Sequence, residues 1–129
     1  IGLNIWSSSK GMIIEKEFVF DAAHFLPYVH EKHKCRRLHG HTYTVTIRVE
    51  GDLNAIGWVV DFADITKVVQ PILHQLDHTL LNAVHGLENP TAEIIAMWIY
   101  ERVKENIKGV RRVTVQEGFA ARAIYPHNA

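Results

Sequence analysis

Residues 41–50 read HTYTVTIRVE, and from Thr42 onward apolar and polar side chains alternate without interruption. In an extended chain alternate residues point to the same side, so one face would carry Tyr43, Val45, Ile47 and Val49. The opposite face would carry three threonines and Arg48. Because β-branched and aromatic residues favour strands, this stretch predicts a β-strand with one buried face.

The segment before this stretch predicts another strand. Residues 12–21 are rich in Ile, Val and Phe, and Phe18, Phe20 and Ala22 recur at a spacing of two. Residues 28–38, between the two strands, are polar and basic and predict a loop. The glycines and polar residues of 51–57 then indicate a turn.

A first helix is predicted in the middle of the chain. Asp61 can cap it, and apolar residues follow at helical spacing from Phe62 to Leu76. Pro71 conflicts with this pattern, because a proline inside a helix costs about 3 kcal/mol. We therefore expect a kink or a break near Gln70.

A second helix and two short strands complete the chain. Asn89 is the expected helix cap, Pro90 suits the first helical position, and Gly109 ends the helix or follows its end. Strands are expected at about Arg112–Glu117 and Ala121–Tyr125. The order strand, strand, helix, helix, strand, strand predicts an α+β fold, in which two helices pack on one face of a four-stranded antiparallel sheet.

Composition narrows the class of protein. The 129 residues suit one domain, for which we expect residues 12–129, and we interpret residues 1–11 as a tag or a disordered leader. Acidic and basic residues balance at 14 each, which gives no electrostatic signature for nucleic acid or an anionic membrane. No apolar run approaches the roughly 20 residues that span a bilayer. A single cysteine excludes a disulfide within the chain and favours a reduced, cytoplasmic setting.

Nine histidines are many for a chain of this length, and three of them have the spacing of metal ligands. His39 and His41 lie two apart at the start of the central strand, on the face that carries Val45. His24 continues the buried face of the first strand. If the two strands pair as a hairpin, their ends meet and the three imidazoles converge. Three histidines with an open fourth position are typical of a catalytic zinc site.

Cys35 lies four residues before His39 in the basic loop. Lys34, Arg36 and Arg37 flank it, and positive neighbours favour a reactive thiolate. Two other interpretations remain open: a buried apolar cysteine, or a fourth ligand that would close the metal site.

Two acidic positions outside this cluster are further candidates. Asp77 and His78 form an imidazole–carboxylate pair suited to general-base chemistry, although adjacent residues need not touch and a surface helix end is the alternative. Glu117 lies in an apolar terminal strand. It is either exposed on the alternate face or buried at a site, where it could accept two hydrogen bonds from a guanidine-like edge.

In this order the motifs resemble the 6-pyruvoyl-tetrahydropterin synthase superfamily, from about Phe18 to Tyr125. The motifs that carry the resemblance are Phe20-Asp-Ala-Ala-His24, Cys35-x-x-x-His39-Gly-His41, Asp61-Phe62, Leu76-Asp-His78, Asn89-Pro-Thr-x-Glu93 and Glu117. Three residues separate Cys35 from His39. This spacing is similar to that of the 6-carboxy-5,6,7,8-tetrahydropterin synthases of queuosine biosynthesis, whereas the animal pyruvoyl enzymes usually have five.

The resemblance implies a fold, a reaction and a set of roles. The fold would be the tunnelling fold, assembled as a hexamer from two trimers. The enzyme would convert 7,8-dihydroneopterin triphosphate to 6-carboxytetrahydropterin, acetaldehyde and triphosphate. By resemblance, the zinc ligands would be His24, His39 and His41. The residues that move protons, across a subunit boundary, would be Cys35, Asp77 and His78. Glu117 would anchor the pterin ring.

Two alternatives stay open at this point. The same residues could support the pyruvoyl reaction, which eliminates triphosphate without cutting the side chain. The protein could also be a non-enzymatic tunnelling-fold protein with structural zinc, which would require Cys35 as the fourth ligand. The triphosphate needs cations, and Lys32, Lys34, Arg36 and Arg37 are the candidates, although a solvated basic loop explains them equally well.

Overall fold

The computed structural model of the protein describes residues 11–128. The interpretation of residues 1–11 as a leader therefore falls, apart from Gly11, outside the described part of the chain. The chain forms, in order, β1 (Met12–His24), β2 (His39–Gly51), α1 (Phe62–His74), α2 (Ala92–Val103), β3 (Val110–Glu117) and β4 (Ala121–Tyr125). Single 3₁₀ turns occur at Lys34–Arg36 and Leu81–Ala83.

The four strands form one antiparallel sheet in the order β1-β2-β3-β4. The pairing of β1 with β2 runs from Met12 opposite Gly51 to His24 opposite His39. The loop that joins these strands therefore lies at the histidine end of the sheet. The predicted fold class, strand order and hairpin are confirmed.

One face of the sheet forms the core. Tyr43, Val45, Ile47 and Val49 are fully buried, and they join Ile65, Ile95 and other helix residues in one hydrophobic cluster. The intervening residues of β2 are only partly buried. Both helices thus cover one face of the sheet, as the alternation in β2 predicted.

Helix α1 begins at the predicted cap, where the Asp61 side chain accepts a hydrogen bond from the Ala63 N–H at 2.8 Å. The expected break near Gln70 is wrong, because α1 continues through Pro71 to His74. Pro71 lies in the last turns of the helix, where it removes one backbone hydrogen bond. The buried residues on either side of it, Val69 and Ile72, hold this end of the helix to the core.

Helix α2 begins two residues later than predicted. Its cap is Thr91, whose hydroxyl accepts from the Ile94 N–H at 3.1 Å, so the expected Asn89 cap is wrong. Pro90 lies outside the helix, and its carbonyl is used by the histidine cluster. Gly109 follows the helix end and has a φ of +86°, and a side chain there would meet the Glu50 carbonyl at 2.4 Å. Within the described chain no helix is long and apolar enough to span a membrane.

Candidate active site

The three candidate metal ligands meet where β1 ends and β2 begins. His24 is the last residue of β1, and it pairs in register with His39, the first residue of β2. One side-chain nitrogen from each of His24, His39 and His41 lies within 4.8 Å of the other two. Gly40 allows this close pairing, because a Cβ at this position would lie 3.3 Å from the Ala22 carbonyl oxygen.

Backbone carbonyls fix the protonation of two of these rings. His24 Nδ1 lies 2.8 Å from the Pro90 carbonyl oxygen, and His39 Nδ1 lies 2.6 Å from that of Arg37. A carbonyl can only accept a hydrogen bond, so each Nδ1 carries the proton of its neutral ring. Each Nε2 then presents a lone pair, and the two Nε2 atoms lie 3.0 Å apart. Two lone pairs that face each other at this distance repel unless a cation lies near both.

Burial keeps His24 in the neutral form that binds metals. Its side chain is only 2% exposed, and this burial lowers the pKa of His24, against the opposing effect of the Pro90 carbonyl. The hydroxyl of Tyr43 lies 3.3 Å from His24 Nδ1. Burial, and secondarily the charge of Glu117, raises the pKa of Tyr43 far above its usual range, so this hydroxyl stays protonated.

The donor set fits a zinc ion. Imidazole nitrogens at about 2.1 Å from a tetrahedral zinc are about 3.4 Å apart, close to the 3.0 Å between the two Nε2 atoms. The rings of His24 and His39 are also oriented through their other nitrogen, Nδ1, as is usual for metal-binding histidines. Glu117 lies near His41, with its Oε2 3.9 Å from His41 Nε2, which is beyond hydrogen-bond distance.

Cys35 lies in the 3₁₀ turn of the loop that joins β1 and β2, half-buried. Its N–H donates to His33 Nδ1 at 3.0 Å, and its carbonyl accepts from the Leu26 N–H at 2.8 Å. Among residues 11–128 the thiol belongs to neither group of side chains that could hold a metal ion. The arrangement thus favours an open three-histidine site over one that Cys35 closes.

Arg36, one of the four candidate cations for the triphosphate, is bonded to backbone carbonyls of its own loop. Its Nη1 donates to the carbonyls of Pro27 and Val29, at 3.0 and 2.9 Å. This guanidinium therefore holds the loop together. Lys32, Lys34 and Arg37 are exposed on the same loop.

The Asp77–His78 pair is held against the outer edge of β1. His78 N–H donates to the Asp21 carbonyl at 2.6 Å, and Ala23 N–H donates to the Thr79 carbonyl at 2.9 Å. Asp77 Oδ1 lies 3.0 Å from His78 Nδ1, so these adjacent side chains do touch. The Asp21 N–H, and secondarily His78, lowers the pKa of the Asp77 carboxyl. The pair is thus a fixed carboxylate–imidazole unit rather than a frayed helix end.

Two concavities open beside these groups. The first, about 630 Å³ in volume, is lined by His41 and His78 together with Asp21 and Thr42. It brings His78 and one candidate metal ligand, His41, to a shared surface, while neither Asp77 nor Cys35 is among its lining residues.

The second concavity, about 410 Å³, is lined by Glu117 and Glu93. Glu93 and Asp21 are additions that sequence reasoning did not single out as site residues. Both are contained in the motifs that carry the family resemblance, Phe20-Asp-Ala-Ala-His24 and Asn89-Pro-Thr-x-Glu93.

Comparison with known proteins identifies relatives over most of the chain. A family model described as 6-pyruvoyl tetrahydropterin synthase matches residues 13–128. The chain is 41% identical to a Synechocystis protein named 6-carboxy-5,6,7,8-tetrahydropterin synthase, over 88% of this chain and 92% of the relative. It is 39% identical to a Pyrococcus furiosus protein named dihydroneopterin monophosphate aldolase, over 77% of this chain and 83% of the relative.

A solved structure has the same fold. The 6-pyruvoyl tetrahydropterin synthase of Caenorhabditis elegans superposes with a TM-score of 0.82 and 24% sequence identity, covering 89% of this chain and 94% of the other.

Proposed function

The chain belongs to the 6-pyruvoyl tetrahydropterin synthase family, and from this premise we propose that it is a zinc-dependent 6-carboxy-5,6,7,8-tetrahydropterin synthase of queuosine biosynthesis, acting in the cytoplasm. The reaction consumes 7,8-dihydroneopterin triphosphate and water, and it yields 6-carboxytetrahydropterin, acetaldehyde and triphosphate. One carbon–carbon bond of the side chain breaks, as does the bond to the triphosphate. As a carbon–carbon lyase the enzyme needs polarised hydroxyls and groups that move protons.

The observation that carries this proposal is the convergence of the three imidazoles. The Nε2 atoms of His24 and His39 hold lone pairs 3.0 Å apart, and His41 completes a set within 4.8 Å. Zinc bound there would act as a Lewis acid on the hydroxyls of the substrate side chain. The protein's own part is to keep His24 neutral through burial, and to orient His24 and His39 through the carbonyls of Pro90 and Arg37.

Proton transfer is assigned to Cys35, Asp77 and His78. The Asp77 carboxylate orients His78 through the 3.0 Å contact to Nδ1 and stabilises the imidazolium that forms when His78 accepts a proton. Cys35 is the second proton carrier, and it lies in a loop that also carries the exposed residues Lys32 and Lys34. Because Cys35 lies outside the concavity that His78 lines, we propose that the complete set forms across a subunit boundary.

Substrate binding is assigned to the second concavity and the basic loop. Glu117 would accept the N–H groups of the pterin edge, with Glu93 beside it. This orients the substrate side chain toward His41, whose Nε2 is 3.9 Å from Glu117. Lys32, Lys34 and Arg37 remain the candidates for the triphosphate.

We propose a hexamer of two trimers for the assembly. Strands β1 and β4 are the outer strands of the sheet, and exposed apolar side chains, Val19 and Ile124, lie on them. The segment after α1 pairs with the outer edge of β1 near Asp21 and Ala23, and the remaining edges can pair with strands of another subunit. Light scattering should give six times the 14.7 kDa chain mass. A monomer would contradict the shared site as well as the assembly.

Aldol cleavage is a second candidate reaction, favoured by the 39% identity to a protein named dihydroneopterin monophosphate aldolase. Such an enzyme would split the same side chain but release a hydroxyaldehyde rather than acetaldehyde. It would accept the monophosphate of dihydroneopterin.

Product analysis separates the candidate reactions. The zinc-loaded protein is incubated with 7,8-dihydroneopterin triphosphate, and the pterin product is identified by mass spectrometry. The carboxy product supports the proposal. A 6-pyruvoyl product assigns triphosphate elimination alone, and a hydroxymethyl product assigns aldol cleavage. The monophosphate is tested in parallel for aldol cleavage. If both substrates stay unchanged with zinc bound, a non-enzymatic protein is favoured.

A further inference from the structure

Asp21 is an exposed carboxylate in the depression shared by His41 and His78, and the proposed reaction gives it no role. One side-chain oxygen of Asp21 lies within 4.8 Å of ligand atoms from both Asp77 and His78. Two carboxylates therefore lie close to one imidazole, whereas a single one is enough to orient the ring.

The Asp21 carboxylate is fixed in this position. Asp21 and Thr42 are opposite each other in the pairing of β1 with β2, and the Thr42 hydroxyl donates to Asp21 Oδ1 at 2.5 Å. The described contacts of this carboxylate do not include a lysine or arginine within ion-pair distance, so its charge is not neutralised by a salt bridge.

The backbone of Asp21 forms hydrogen bonds with both Asp77 and His78. Its N–H donates to Asp77 Oδ1 at 3.0 Å, and its carbonyl accepts from the His78 N–H at 2.6 Å. His78 has a φ of +59°, a left-handed conformation that costs a residue with a side chain about 1–2 kcal/mol. The hydrogen bond to the Asp21 carbonyl helps to hold this conformation, so the imidazole keeps a defined position relative to the Asp21 side chain.

We infer that Asp21 is a positioning residue for the proton transfer, whose carboxylate, oriented by Thr42, stabilises the imidazolium of His78 together with Asp77. When the His78 ring takes a proton from the substrate, its new positive charge lies near two negative charges instead of one. This lowers the energy of the charge-separated state without contact between Asp21 and the substrate. The inference rests on the proposed function, because it gives His78 the role of proton acceptor.

The test is the substitution Asp21→Asn. Asparagine has nearly the same shape, its side-chain carbonyl can still accept from Thr42, and both backbone hydrogen bonds remain, so only the charge is lost. A charge pair 4.8 Å apart is worth about fourfold in rate with water-like screening and about 300-fold at an effective dielectric constant of 20. Because Asp21 is exposed and the His78 side chain is 78% exposed, screening is close to that of water, and we expect kcat for triphosphate release to fall about fourfold, with KM nearly unchanged.

The matched control is Glu17→Gln. Glu17 is an exposed carboxylate on the same face of β1, four residues away, and its loss should leave kcat unchanged. Zinc content and the thermal midpoint are measured for both variants to show that each is folded and metal-loaded. The variant Thr42→Val keeps the charge but frees the carboxylate, and it should lower kcat by less than Asp21→Asn.

The outcomes separate the two claims. Triphosphate release is measured because both the carboxy and the pyruvoyl reactions produce it, so the readout does not depend on which product forms. If the wild type turns over and Asp21→Asn matches it in kcat, the role of Asp21 is refuted while the proposed function stands. If the wild type releases no triphosphate, both fail. A rise in KM alone would make Asp21 a binding residue and also contradict the inference.

Discussion

Removal of one imidazole from the cluster should remove most of the stabilisation that zinc gives, without unfolding the protein. His39→Ala is the suitable change, because His39 is half-buried whereas His24 is only 2% exposed. The substitution leaves little cavity and removes one hydrogen bond, from Nδ1 to the Arg37 carbonyl. The metal-free variant should therefore lose no more than about 1 kcal/mol of stability.

Zinc binding changes the stability of the wild type by more than the His39→Ala substitution changes the stability of the metal-free protein. At free zinc 100 times the dissociation constant, binding stabilises the wild type by about 2.7 kcal/mol, or about 11 °C in the thermal midpoint for a chain of this length. Loss of groups that merely orient metal ligands weakens binding about 10–100-fold, and loss of a ligand costs at least that. At the same concentration of free zinc, binding would stabilise the variant by only about 0.4 kcal/mol, or about 2 °C in the thermal midpoint.

The assay is thermal unfolding in zinc-buffered and chelator-treated samples. His85→Ala is the control, because His85 is exposed and belongs to neither group of potential metal ligands. It should show the full zinc shift. A zinc shift in His39→Ala as large as in the wild type would contradict the assignment of His39 as a zinc ligand, and the absence of a shift in the wild type would contradict the zinc site itself.

Three further predictions concern the other groups of the site. Cys35→Ala should retain one zinc per chain by elemental analysis and lose turnover at least about 100-fold, and loss of zinc would instead favour a closed structural site. Glu117→Gln should raise KM about tenfold or more, because a neutral amide accepts fewer hydrogen bonds from the pterin edge, and an unchanged KM would move the pterin pocket elsewhere. Burial lowers the pKa of His24 below the value of about 6.5 that is usual for histidine. As the pH falls, His24 is therefore protonated in the unfolded chain before it is protonated in the folded protein. The metal-free protein should be fully stable above about pH 6.5 and lose up to about 1.4 kcal/mol per pH unit below it, as chemical denaturation at stepped pH would show, and a stability that rises between pH 6.5 and 5.5 would contradict this. Zinc binding should weaken over the same range, since zinc and protons compete for the ring.

Much of the fold follows from local pattern. The alternation in β2 identified the buried face, and the even-numbered residues of β1 led to His24 at its end. Once a hairpin is assumed, the convergence of His24 with His39 follows from register alone. The roles of these histidines as zinc ligands stay a prediction until metal is measured.

Other features depended on tertiary contacts that no local pattern shows. Asn89 and Thr91 are both good caps, and Thr91 is used because the carbonyl of Pro90 is directed to His24. Pro71 stays inside α1 because the core anchors residues on both sides of it.

The contact of Asp77 with Asp21 joins residues 56 positions apart. It exists only because the segment after α1 pairs with the edge of β1. The sequence could therefore suggest the Asp77–His78 pair but not the second carboxylate beside it.

The most direct test of the proposed reaction is the ratio of acetaldehyde to triphosphate. The zinc-loaded wild type is given 7,8-dihydroneopterin triphosphate, and both products are quantified over the same time course. We expect one acetaldehyde for each triphosphate from the first turnovers onward, and none of either product after the metal is removed. Triphosphate without acetaldehyde would contradict side-chain cleavage, and undiminished product formation without metal would contradict the role of the three histidines.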